Sequence, residues 1–109
     1  MPQPKISPEQ RLQGRFNMAA FRLGALHAVD LIDQKTAARL YETFNSIDRV
    51  YEAQRVLYYM PGSTHEALQK SLDLPIKKLK EKFVRQMDAV VRRLDKSKLT
   101  RRQREGLEL

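Results

Sequence analysis

Six apolar side chains, Ile76, Leu79, Phe83, Met87, Val90 and Leu94, recur at an average spacing of 3.6 residues. That is the helical period, and a strand would scatter the same residues over both of its faces. At 100° per residue, Lys78, Lys82, Arg85, Arg92 and Lys96 gather within about 80° on the opposite side. An amphipathic helix of this kind has to lay its apolar side on partners of its own sort, so the rest of the chain must supply them. Asp73-Leu74-Pro75 precedes the stripe; the residue before a proline is pushed out of the helical region, and proline is favoured at a first helical position. A helix is therefore predicted from Pro75 to about Asp95.

The partners are legible upstream. Ser7-Pro8-Glu9-Gln10 joins an N-cap serine, a proline at the first helical position and a glutamine able to bond back to the cap. It opens a helix over 8–30 whose buried stripe is Leu12, Phe16, Ala19, Leu23 and Leu26. Ala19, Ala20, Gly24, Ala25 and Ala28 on the same helix are small enough to admit a closely packed neighbour, so a tight helical hairpin is expected. Asp33 caps a second helix over 34–59, with Ala37, Leu40, Phe44, Ile47, Tyr51 and Tyr58 in three-four alternation and Gln54 interrupting it. That alternation spans three heptads, enough for a coiled-coil seam, so a homodimer through this helix stands beside packing within the chain. Toward its end Val50, Ala53, Val56, Leu57 and Met60 spread apolar groups all round, which makes this segment either the core's centre or an intersubunit surface.

Pro61-Gly62 stops the second helix, and Ser63-Thr64-His65-Glu66 offers a capping box for a short helix over 63–72. No segment sustains period-two alternation. The fold class expected is all-α: a small helical bundle of three longer helices and two short ones, over 63–72 and 100–108. Its parts are an N-terminal arm over 1–7, a bundle domain over 8–96 and a basic C-terminal tail over 97–109. A chain of 109 residues suits one such domain and one core.

Composition removes several function classes. The chain has no cysteine, which excludes disulfides, thiolate metal sites and cysteine nucleophiles. The longest apolar run, Val56 to Pro61, is far short of the roughly 20 residues of a membrane span. MPQPKISPEQ lacks the apolar stretch of a secretory signal, so a cytoplasmic protein is expected. His27 and His65 are too far apart for a helical zinc pair, HEALQ lacks the second histidine of HExxH, and four scattered glycines make no phosphate-binding loop. Acidic pairs such as Asp30 with Asp33 and Asp48 with Glu52 have basic neighbours and read as solvated ion pairing. No metal, cofactor or catalytic residue is assigned, and a non-enzymatic protein is expected.

Charge carries the functional signal. Residues 1–74 hold nine basic and eight acidic side chains, whereas residues 75–104 hold twelve basic and three acidic. The net +8 is thus an excess confined to the last third of the chain. Such a surface attracts polyanions through long-range, salt-sensitive electrostatics, and arginine's planar fork suits phosphate. Lys78, Lys82, Arg85, Arg92, Arg93, Lys96, Lys98, Arg101, Arg102 and Arg104 are the candidate nucleic-acid-binding residues. Contacts of this type hold phosphates without reading bases, and the fourth helix offers only Gln86, at its flank, as a reader. Nucleic-acid binding with weak sequence specificity is the leading expectation. An alternative is a helical protein-interaction module, an adaptor or inhibitor that meets an acidic protein surface through its helices, with Tyr51, Tyr58, Tyr59 and Met60 as its contact residues. Docking on an anionic membrane would need Ile76, Leu79, Phe83 and Met87 free, whereas a closed core buries them.

The C-terminal run KLTRRQREGLEL completes the reading. Leu99-Thr100-x-Arg102-x-Arg104-Glu105-x-Leu107 resembles the opening of the first helix in the helix-turn-helix domains of bacterial response regulators and sigma factors. The resemblance spans nine residues and lacks the turn and recognition helix that would read DNA. Thr100 with Gln103 forms a capping box, so a short terminal helix is expected as the end of a basic surface.

Overall fold

The computed structural model describes residues 5–60 and 65–109, with His65 described in its backbone only. It contains α1 (Pro8–Ala28), α2 (Gln34–Tyr59), α3 (His65–Ser71), α4 (Asp73–Arg93), a 3-10 turn (Lys96–Lys98) and α5 (Arg101–Gly106). Among the described residues there is no strand, as the helical period requires. The proposed stop at Pro61-Gly62 and the cap at Ser63 lie outside the described residues.

Three helix starts follow from side chains that satisfy the orphan amides of a first turn. Ser7 Oγ accepts from the Gln10 amide at 3.1 Å, and Gln10 Oε1 accepts from the Ser7 amide at 3.0 Å. Asp33 Oδ1 accepts from the Thr36 amide at 2.6 Å. Thr100 and Gln103 repeat the reciprocal pair at 3.1 and 2.8 Å. The end of α1 was less legible: the helix stops at Ala28, two residues before the expected boundary. Asp30 takes a left-handed φ of 57°, and the Leu31 amide donates to Leu26 O at 3.0 Å, a closing bond that usually recruits glycine. The start of α4 also departs from expectation. It begins at Asp73, because Pro75 sits within the first turn, where its missing N–H has no intrahelical acceptor to forgo.

Each long helix contributes one phenylalanine to the centre of the core. Phe16 and Phe44 stack at 5.8 Å between ring centroids, and Phe83 is tilted against them at 5.4 and 5.8 Å. Leu23, Leu26, Leu40, Ile47 and Met87 are fully buried around this triangle. The pairs Gln13–Lys80 and Phe16–Phe83 advance together along both helices, so α1 and α4 run parallel, while α2 runs back against α1. The tight α1–α2 hairpin does not form. Phe83 and Met87 of α4 fill the space between the two helices, α1 and α2 touch each other far less than either touches α4, and Gly24 faces open space.

This arrangement is a slab, with extents of 55 × 45 × 19 Å. Its Cα radius of gyration is 17.0 Å, against about 13 Å for a compact chain of this length. Its accessible surface of 8363 Å² exceeds by about a third the roughly 6,300 Å² expected at 12.8 kDa. One cause is the length of α2. Its 26 residues rise about 39 Å, and its last turns outrun the core, flanked by α3. Gln54, which interrupts the heptad pattern, holds α3 there: its Nε2 donates to Gln69 O at 2.9 Å and to Asp73 Oδ1 at 2.7 Å, and Gln69 Nε2 donates to Gln54 O at 3.0 Å.

Candidate nucleic-acid interface

The apolar side of α4 is consumed by the core, with Ile76, Phe83, Val84 and Met87 all buried. Lys78, Lys82, Arg85, Arg92 and Arg93 are exposed on the other side, within roughly 100° of helical rotation. Arg92 and Arg93 occupy the last turn, where the helix dipole favours cations. The helix then ends, and Lys96 and Lys98 continue the exposed run in the 3-10 turn. Asp95 caps that turn: the Ser97 hydroxyl, and after it the Ser97 amide, hold its carboxyl below the usual range.

Arg101, Arg102 and Arg104 belong to a different element. The tail folds back on α1, burying Leu99 and Leu107 beside Ala25 and Val29. Arg22 fastens it, donating from Nε to Leu107 O at 2.9 Å and from Nη2 to Glu108 O at 3.2 Å. Glu108 takes a left-handed φ of 56° to close α5. These arginines therefore ride on α1 rather than extending the row on α4. Arg101 is also partly occupied, since its Nε donates to Glu105 Oε1 at 3.1 Å in an exposed pair.

What the sequence reading missed is the contribution of α1. A groove of about 490 Å³ runs between α1 and α4, and Arg11 and Arg15 of the first helix line it together with Lys77 and Arg85 of the fourth. Glu81 is the acid lining that groove, and Asp88 approaches Arg15 only at 3.9 Å. Arg11 and Arg15 are four apart and flank the Leu12–Phe16 stripe, so sequence places them together. Which neighbour they flank depends on α4 lying parallel to α1, and no local pattern contains that.

Two other candidate groups fall elsewhere. Gln86, the one expected base reader, is half-buried beside Arg39 and Arg93, and its Oε1 is enclosed without a hydrogen-bond partner among the described residues. Tyr51, Tyr58, Tyr59 and Met60 lie toward the far end of α2. The sequence left that end open between core and surface, and it is surface: Tyr58 is 67% and Tyr59 77% exposed, with Val56 and Leu68 also uncovered. The two tyrosine rings meet edge-on at 5.2 Å. The proximal positions of the same seam, Ala37, Leu40 and Ile47, are buried in the chain's own core, so only the last turns of α2 remain free for a partner.

Lys80 is a further group with no place in the sequence reading. It sits at stripe register, between Ile76 and Phe83, and is only 8% exposed. His27, by contrast, is a packing residue, its ring nitrogens 3.2 Å from Tyr41 Oη and 3.4 Å from Gln34 Oε1. Among the described residues no cluster of three or more histidine or acidic side chains is placed to hold a metal. No helix there is long and apolar enough to cross a membrane. No protein-family model matches the chain, and neither a curated protein nor a solved structure matches it.

Proposed function

We propose that this chain is a non-enzymatic nucleic-acid-binding or nucleoprotein accessory protein that holds the phosphate backbone on its α1–α4 side. The observation that carries the reading is the groove in which Arg11, Arg15, Lys77 and Arg85 meet a single lining carboxylate, Glu81, beside the exposed row Lys78, Lys82 and Arg92. Two parallel helices spaced by side-chain packing present cations from both walls, an arrangement suited to a polyanion and indifferent to its base sequence. Gln86 is turned inward, so the amide expected to read bases from α4 is withdrawn from this surface. Binding of mixed-sequence duplex DNA or RNA is expected to weaken steeply between low and physiological salt. Charge reversal at Lys82, Arg85 and Arg92 removes it while the circular dichroism spectrum stays helical. Lack of binding at low salt would refute the proposal.

A second reading has its own observation. The exposed aromatic end of α2 and the surface excess of about a third favour a protein-interaction module. Tyrosines and a methionine at an exposed helix end are the residue types that interfaces enrich. Capture of one protein partner from nuclease-treated extract, lost on Tyr59→Ser with Met60→Ser, supports this reading; capture that persists in the double variant counts against it.

A further inference from the structure

Lys80 poses an electrostatic problem that the nucleic-acid reading leaves alone. A lysine is seldom buried without an opposite charge, because desolvating an ammonium is costly and an opposite charge offsets it. The partners of Lys80 are all neutral. Its Nζ donates to Gln13 Oε1 at 2.5 Å and lies 5.0 Å from the Tyr51 ring centroid and 5.5 Å from that of Phe16. None of the ion pairs among the described residues includes it. An ammonium has three donors, and Gln13 takes one.

Lys80 also lines a groove of about 480 Å³ among α1, α2, α3 and α4, within the range of small-molecule sites. Leu12, Tyr51, Leu74 and Ile76 supply apolar wall, while Lys70 and Lys77 are offset by Glu9 and Asp73. The lining therefore carries one net positive charge, that of the buried ammonium. A single negative charge balances it, whereas the two acids repel a polyphosphate.

We infer that this groove binds a small monocarboxylate with an apolar body, its carboxylate on Lys80 Nζ and its hydrocarbon against Tyr51, Leu74 and Ile76. The inference does not rest on nucleic-acid binding: the two grooves share Leu12 and Lys77, but Lys80, Tyr51 and Leu74 line only this one and Arg11, Arg15 and Arg85 only the other. The aryl ring or alkyl chain of such a ligand displaces water from the apolar wall, and the charge-assisted hydrogen bond fixes its orientation.

The test is a titration of the isotopically labelled full chain, followed by amide chemical shifts, with 4-phenylbutyrate and its uncharged counterpart 4-phenylbutanol. Saturable shifts are expected at Leu12, Tyr51, Ile76 and Lys80, with the alcohol at least tenfold weaker. Lys80→Met is expected to weaken 4-phenylbutyrate binding at least tenfold without lowering the thermal midpoint, since it removes an unpaired buried charge. Leu74→Glu, at an exposed position on the groove wall, adds a repelling carboxylate and weakens binding whether or not the Lys80 variant folds. A purely structural lysine that ties α1 to α4 through Gln13 gives the opposite pattern, with binding unchanged in both variants. The inference is overturned by that pattern, by equal affinity for acid and alcohol, by no saturation to concentrations on the order of 10 mM, or by shifts centred on Lys82, Arg85 and Arg92. None of these outcomes bears on DNA affinity, so the two proposals fail separately.

Discussion

If the interface is built by two helices, removing Arg11 and Arg15 must weaken nucleic-acid binding although both lie outside the basic third of the chain. The double variant Arg11→Gln with Arg15→Gln tests this. Seven cations, Arg11, Arg15, Lys77, Lys78, Lys82, Arg85 and Arg92, are exposed along the α1–α4 side. If each neutralises one phosphate of duplex DNA, the slope of log affinity against log salt is about −6.3, and loss of two contacts brings it to about −4.5. Between 50 and 200 mM salt the parent then loses affinity roughly 6,000-fold and the variant only about 500-fold. Stability should barely change, because the Arg15–Asp88 pair is exposed and spans 3.9 Å, and such pairs contribute at most a few tenths of a kcal/mol. The assay is fluorescence anisotropy with a labelled mixed-sequence duplex over a salt series. The control is Lys35→Gln with Arg49→Gln, which removes the same charge from exposed positions on α2. An unchanged slope in the double variant refutes the two-helix groove. So does an equal fall in the control, which would mean that net charge, not position, governs binding.

Other perturbations probe the fold that builds this surface. Gln54→Ala removes the side chain that bonds to α3 and to Asp73, so amide exchange over 65–71 should accelerate far more than exchange at Phe83, as hydrogen-exchange mass spectrometry or NMR would record. Gly24→Ala adds a methyl group into open space within α1 and should stabilise the protein by about 0.5–1 kcal/mol in urea unfolding. The amide and then the hydroxyl of Thr36 hold the Asp33 carboxyl below its ordinary 3.8, so its contribution is present above that value and lost as pH falls through the lower folded value. Asp33→Asn keeps an N-cap acceptor without a titrating charge, so stability followed by circular dichroism should decline less steeply below about pH 4 than in the parent.

How much of this was legible in advance differs from one element to the next. The caps at Ser7, Asp33 and Thr100 could be read because each depends on two residues three apart, and the hydrogen bonds that satisfy them are local. The stop of α1 escaped because it needs a left-handed Asp30, which sequence signals far less clearly than a glycine. Gln54 looked like a flaw in a seam, and its role as a clamp on α3 appears only when Gln69 and Asp73 are brought to it. Lys80 could have been flagged from its place between Ile76 and Phe83, yet a lone lysine on an apolar stripe says nothing of which rings or amides will surround it. The basic row on α4 was visible, while Arg11 and Arg15 were hidden by a neighbour more than sixty residues distant.

The sequence alone determined that the chain is helical, where most of its helices begin, and which side of α4 must be buried, because period, capping and proline chemistry act over a few residues. Only the tertiary structure decided that α4 lies between α1 and α2, that the tail folds back on α1, and that the end of α2 outruns the core. Those outcomes depend on how the volumes of Phe16, Phe44 and Phe83 fit together and on which surfaces remain once they have. The hydrophobic effect that drives that packing is non-directional, so a pattern of apolar residues says that a face is buried without saying against what.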